Sequence, residues 1–222
     1  MNKLRVAGIG LTASAALVLT ACSSNDQASS GGDSSSAPAP SSSAPASGGA
    51  SADGVTTNAD VFGSACSKLP QGNEAGSLDS MGPQPVASAA STNPLLTKLV
   101  AAVKASNLVD TLNSQPAITV FAPADTAFQE LGDAKFNELA KNPSQLTPIL
   151  QYHVLGKRYD AKGLSAAGSV TSLNAGGGPV KIEGSGDNMT VNGAKVLCGN
   201  IPTKNATVFV IDKVLSPGAN QN

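Results

Sequence analysis

The residue types best suited to chemistry are few and far apart in this chain: one His (His153), three Cys (Cys22, Cys66 and Cys198), and carboxylates that never gather at ligand spacing. A single imidazole excludes any site that needs two, and a zinc site would have to mix residues that nowhere cluster. His153 is a conceivable general base, but no nucleophile motif of the GxSxG kind accompanies it. Set among Leu150, Tyr152, Val154 and Leu155, it reads instead as a hydrogen-bonded structural His at a packed helix end. Gly176-Gly177-Gly178 lacks both the following helix and the Gly-Lys-Ser/Thr sequence of a phosphate loop, and reads as a loop between two strands. Asp125, Glu130 and Asp133 miss the EF-hand spacing and suit the solvated first turn of a helix. The expectation is therefore no catalytic residue, no metal and no cofactor.

Composition narrows the field further. Of 222 residues, 41% are hydrophobic and 13% charged, with 23 Gly, 14 Pro and no Trp, which fits one globular domain joined to flexible sequence. Lys and Arg number 14 against 15 Asp and Glu, and no segment interleaves basic and aromatic residues. Nothing here would hold a phosphate backbone or stack bases, so nucleic acid is excluded as a partner.

The first segment reads as an address. Lys3 and Arg5 precede an apolar run from Val6 to Leu19, shorter than the roughly 20 residues a membrane-spanning helix needs. The run ends in Leu19-Thr20-Ala21-Cys22, which resembles the lipobox of bacterial lipoproteins, so residues 1–21 are expected to be a signal peptide and the Cys22 thiol the site of lipid attachment. One acyl chain holds a protein reversibly, whereas two or three hold it for good, because each buried methylene adds about 0.8 kcal/mol. Residues 22–55 are then almost wholly Ser, Ala, Gly and Pro, without Leu, Ile, Met or an aromatic, and are expected to form a disordered leash. Its mean reach would be roughly 30 Å. The Ser-Ala-Pro stretch also offers hydroxyls for glycosylation.

All five Phe and both Tyr lie beyond residue 60, which puts the core in residues 56–222. Without Lys3, Arg5 and the three linker Asp, 12 cationic and 12 anionic side chains remain, so no net field steers a charged partner. With Cys22 acylated, Cys66 and Cys198 are the only thiols left, and an exported location favours a disulfide between them; no CxxC spacing supports a reactive or metal-binding alternative.

Helices come first and strands later. Asn93-Pro94 can open a helix whose apolar face is Leu95, Leu96, Leu99, Val100 and Val103. A short helix over 107–112, a strand over 117–121, and helical pieces over 125–131 and 133–141 follow. Another helix starts at Asn142-Pro143, with Pro148 a point of distortion if it continues. Short β runs occupy 170–173, 180–183, 189–191, 194–197 and 207–215, and Asn192-Gly193 is suited to a two-residue hairpin turn. The class is α+β.

Two blocks carry a family resemblance. Thr119-Val120-Phe121-Ala122-Pro123-Ala124-Asp125-Thr126-Ala127-Phe128 resembles the first signature block of the fasciclin (FAS1) domain, Asn205 to Pro217 resembles the second, and Tyr152-His153 stands between them as the family's Tyr-His pair does. The likeness spans about residues 60–218 and is strongest to the mycobacterial secreted and surface-lipoprotein antigens of that family. It implies a FAS1 fold, a two-sheet β-wedge of about seven strands with several flanking helices, and a role in adhesion or extracellular interaction rather than catalysis. Ala124 replaces the usual Thr, which leaves a helix without its capping hydroxyl unless Asp125 supplies the acceptor. Phe209 stands where a His is common. Asn200-Ile201 stands where animal adhesion members have an Asp-Ile pair implicated in integrin binding. Tyr152, His153, Asn200 and Ile201 are accordingly the candidate interaction residues. The expected protein is a monomer, lipid-anchored on the extracytoplasmic face of a bacterial membrane with a shed fraction, and meets an extracellular protein or glycan. The competing expectation is a binding protein for an apolar small molecule or lipid, with the helices opening over the sheet to form a pocket.

Overall fold

The computed structural model describes residues 53–218; the signal segment, Cys22 and most of the leash lie outside the described residues. Among these residues eight α-helices and seven strands follow in the order α1 (Leu78–Met81), α2 (Val86–Thr92), α3 (Thr97–Ala105), α4 (Val109–Ser114), β1 (Ile118–Pro123), α5 (Asp125–Leu131), α6 (Asp133–Lys141), α7 (Pro143–Tyr152), β2 (Val154–Leu155), α8 (Ala161–Ala167), β3 (Ser169–Val170), β4 (Val180–Glu183), β5 (Thr190–Val191), β6 (Ala194–Pro202) and β7 (Ala206–Ile211). The strands hydrogen-bond in the order β2-β1-β7-β6-β5-β4-β3. Four of them, β2, β1, β7 and β6, make one half, and β5, β4 and β3 the other. The two edges also meet, since the Leu173 amide just past β3 donates to the Val154 carbonyl in β2 at 2.7 Å.

The two signature blocks form the middle of the sheet. β1 and β7 run parallel in unbroken register from Ile118↔Ala206 to Pro123↔Ile211, and all twelve residues are buried. Burial on both faces explains why these strands read as continuous apolar runs instead of alternating ones. Alternate residues nevertheless serve different cores. Val120, Val208 and Val210 pack with Leu99, Val103, Leu146 and Leu150 under the helices, while Phe121, Phe209 and Ile211 face Tyr152, Leu164, Val180 and Val191. Phe121 and Phe209 touch with ring centroids 6.0 Å apart. Thr119 and Thr207, paired across β1 and β7, are fully buried, so their hydroxyls need partners. Thr119 Oγ1 donates to the Lys157 carbonyl and accepts the Tyr159 amide, and Thr207 Oγ1 donates to the Gly54 carbonyl at 2.9 Å.

Local chemistry places the helix starts. α3 begins at Thr97, later than Asn93-Pro94 implied. Asn93 Oδ1 accepts the Leu95 amide in a turn, and the α3 N-terminus is capped from a distance: Asp125 Oδ1 accepts the Lys98 amide at 2.8 Å and Oδ2 accepts the Thr97 hydroxyl. Asp125 therefore supplies a capping acceptor, but to α3 and not to its own helix α5, whose Ala124 cap has no side-chain bond. Asp133 pairs with Lys98 Nζ, tying α6 to the same corner. α7 continues through Pro148. The Asn192-Gly193 turn has both residues at positive φ, 49° and 76°, as a two-residue hairpin between paired Val191 and Ala194 requires.

One buried amide organises the helical layer. Asn205, at the start of the second signature block, accepts the Val86 amide of α2 through Oδ1 at 2.9 Å and donates through Nδ2 to the carbonyls of Leu112 and Gln115, both at 2.8 Å. Asn205→Ala strands an amide and two carbonyls, and Asn205→Asp keeps the acceptor but loses the donors. Each variant is expected to lose about 2 kcal/mol of unfolding free energy by urea titration at neutral pH; unchanged midpoints would contradict this role.

Candidate functional site

The residues marked by sequence as an interaction segment lie inside the protein. Tyr152 is 0% exposed, His153 2%, Asn200 8% and Ile201 1%, so none presents its side chain to a partner. Their polar atoms have internal duties. Tyr152 Oη donates to the Pro179 carbonyl at 3.3 Å and accepts Asn192 Nδ2 at 2.9 Å, which ties the end of α7 to the hairpin turn. Asn200 sits at φ 59° within an irregular stretch of β6, where Oδ1 accepts the Ala161 amide at 2.8 Å and Nδ2 donates to the Asp60 carbonyl at 3.1 Å. One partner is a donor and the other an acceptor, so a carboxamide satisfies both where a carboxylate could satisfy only one. That is the physical reason for Asn at this position.

His153 closes α7 and leads into β2. Its Nδ1 lies 2.8 Å from the Ile149 carbonyl, and the Leu215 amide lies 2.9 Å from Nε2. A carbonyl can only accept and an amide can only donate, so Nδ1 carries the proton and Nε2 offers its lone pair to Leu215. Burial pushes the imidazole pKa down from 6.5 to about 4, the bond to Ile149 opposing this only in part. The lone pair a general base would use is already occupied.

The cysteines are brought together. Cys66 and Cys198 form a disulfide with Cα atoms 5.1 Å apart, clipping the leading segment to β6. Beside it the Phe62 ring lies against Gly199, where an added Cβ would stand 2.4 Å from the ring. Gly176 and Gly177 end a 3₁₀ turn (Ala175–Gly177) between β3 and β4 that Gly178 caps at φ 81°, with Gly177 packed on the Tyr152 ring. Asp125 and Asp133 are engaged with α3, and among the described residues no group of three or more His, Cys, Asp or Glu could hold a metal ion.

An apolar cleft of about 190 Å³ lies between α2, α3, α4, the end of α7 and β1, and a wider, more polar recess of about 430 Å³ lies between residues 155–159 and 169–173. The buried lining of the apolar cleft includes Val86, Leu99, Val103, Leu112, Val120 and Leu150. Toward solvent lie Ser91, Lys104, Thr111 and Leu173, the last 42% exposed and one of two large apolar side chains so exposed among the described residues. The cleft exists because α2, Val-Ala-Ser-Ala-Ala-Ser-Thr, presents short side chains at Ala87, Ser88, Ala90 and Ser91 where larger ones would fill it. A sequence signal was therefore present: a run of small residues in helical context beside the apolar face of α3.

The profile of the Fasciclin domain matches residues 94–217. "Immunogenic protein MPB70" of Mycobacterium bovis is 41% identical over 167 residues, 72% of this chain and 84% of that protein. "Cell surface glycolipoprotein MPB83" of the same species is 37% identical over 168 residues, 72% of this chain and 74% of that one. Among solved structures, a FAS1 domain pair from the insect cell adhesion molecule Fasciclin I aligns with a TM-score of 0.45 at 19% identity, covering 55% of this chain and 45% of that one.

Proposed function

The chain belongs to the fasciclin domain family, and on that premise we propose that it is a non-enzymatic binding protein, held outside the cytoplasm through lipid on Cys22 and displaying its folded domain to an extracellular protein or glycan. The observation that carries this reading is the division of labour inside the domain: the buried polar side chains of the Tyr152-His153 segment are committed to structure, whereas an apolar cleft is left open between the helices and β1. A 37% identical relative, a cell surface glycolipoprotein of Mycobacterium bovis, supports the placement. On intact cells, deletion of residues 56–222 is expected to abolish adhesion or partner capture, while Cys22→Ser releases the protein from the membrane fraction. Undiminished adhesion after the deletion, or membrane retention of Cys22→Ser, would refute the corresponding half.

The cleft specifically favours a second reading, in which the domain binds an apolar small molecule. Its lining is that of a ligand pocket, apolar with a few polar groups at the mouth. Native mass spectrometry of gently purified protein separates the two: a reproducible bound mass supports the carrier, and an empty domain that captures surface partners supports adhesion.

A further inference from the structure

We propose that the cleft between α2, α3, α4 and α7 is a binding site for a single aliphatic chain ending in a carboxylate; this deepens the small-molecule reading above and rests on it. Size comes first. An engineered cavity of about 150 Å³ holds one benzene, so the 190 Å³ available here takes roughly eight carbons by the same ratio, enough for one chain and too little for two side by side. Because the cleft is open at the rim, a longer chain can leave over the exposed Leu173.

Charge selects the head group. Lys104 is the one cationic side chain in the lining, no Asp or Glu accompanies it there, and it makes no salt bridge among the described residues. His153, at the inner wall, is held neutral between Ile149 and Leu215 and adds no charge. An anionic head at the mouth thus meets a cation with no competing carboxylate in the lining, and the exposed Thr111 hydroxyl lines the same cleft as a donor, whereas the Ser91 hydroxyl already donates to the Ser88 carbonyl. A cationic head would find no counter-charge. The floor has no unpaired polar atom to reward a polar tail: of the three buried side-chain atoms lacking partners among the described residues, on Thr56, Ser106 and Arg158, none belongs to a lining residue. An aliphatic tail is the chemistry that fits.

The chain after residue 21, with Cys22→Ser so that no detergent is needed, is titrated with hexanoate, heptanoate, octanoate and decanoate, and with octanol and octylammonium. Affinity is expected to rise about fourfold per added methylene up to roughly eight carbons and then level off. Octanoate should bind more tightly than octanol, and octylammonium most weakly. Lys104→Gln should cost octanoate about threefold and octanol nothing. Ala90→Leu, which grows a side chain into the cleft, should cost tenfold or more at an unchanged urea midpoint. Should that variant fail to fold, methyl chemical shifts in the unaltered sequence decide: Val103 and Leu112 move with octanoate, while Val180 and Ile182 in the other core do not. Equal binding of octanol and octanoate overturns the carboxylate assignment and leaves the apolar-ligand reading standing. Absence of saturable binding by either overturns both, without touching the adhesion reading.

Discussion

Replacing both cysteines of the Cys66–Cys198 bridge with Ala is expected to lower the unfolding free energy by about 3 to 5 kcal/mol, the largest effect of any change considered for this protein. The bridge spans 132 positions, so its loss frees a long loop in the unfolded chain, and chain entropy alone accounts for up to about 5 kcal/mol. Cys198 is fully buried in the helical core, so Ala there also leaves space unfilled. The leading segment has other holds on the domain. Phe62 and Gly199 exchange backbone hydrogen bonds, the Ala65 amide donates to Leu197, and Asn200 reaches Asp60. These bonds keep the native segment docked without the bridge, and so the loss should be seen mainly as a shifted denaturation midpoint, with faster amide exchange in residues 54–66. Superimposable urea curves for the double variant and the parent would show that the bridge only fastens a segment already held.

The sheet was largely legible in the sequence, for a physical reason. Fully buried strands must be apolar along their whole length, and the second signature block could not hide that pattern. The Val180–Glu183 strand alternates outward charge with inward Val and Ile, and the Asn192-Gly193 turn names its own backbone conformation. The elements that escaped notice are short and held by few contacts. α2 and α8, Val-Ala-Ser-Ala-Ala-Ser-Thr and Ala-Lys-Gly-Leu-Ser-Ala-Ala, are anchored chiefly by Val86 and Leu164 and otherwise look like linker. β2 has only two residues and exists because β1 lies beside it, a fact of tertiary structure that no local pattern records. The expected strand over 207–215 ends at Ile211, since the chain then turns so that Leu215 can reach His153.

The candidate site was less legible. Tyr152, His153, Asn200 and Ile201 stood out because their residue types and positions are those of a family segment, but polar atoms that ligands could use are equally those that bury well when paired. Tyr152 and Asn192 illustrate this, a side chain at a helix end satisfied by one in a turn 40 positions away. The cleft has the opposite character, being defined by what α2 lacks. Absence of bulk becomes visible only once the neighbouring helices fix how much bulk the gap would need.

The pH dependence of stability tests whether His153 belongs to the architecture. Folding holds the imidazole neutral with a pKa of about 4, whereas the unfolded chain returns it to 6.5. Between those values the unfolded state binds the additional proton, so stability is complete above about pH 6.5 and is lost as the pH falls through this window. The total loss is about 3 kcal/mol at 1.36 kcal/mol per pH unit, and below about pH 4 this residue contributes no further slope. Asp60, held below 3.8 by the Thr57 hydroxyl and amide, titrates beneath the window and adds its own loss there. Protonation would place an N–H on Nε2 opposite the Leu215 amide, two donors face to face, so exchange at Leu215 should quicken before the sheet opens. His153→Asn keeps a polar side chain but removes the titration. It should be less stable than the parent at pH 7.5, yet its unfolding free energy should change by less than about 1 kcal/mol between pH 6.5 and 4.5. If parent and variant lose stability in parallel across that interval, the acid sensitivity resides elsewhere, and the bond between His153 and Leu215 does not govern it.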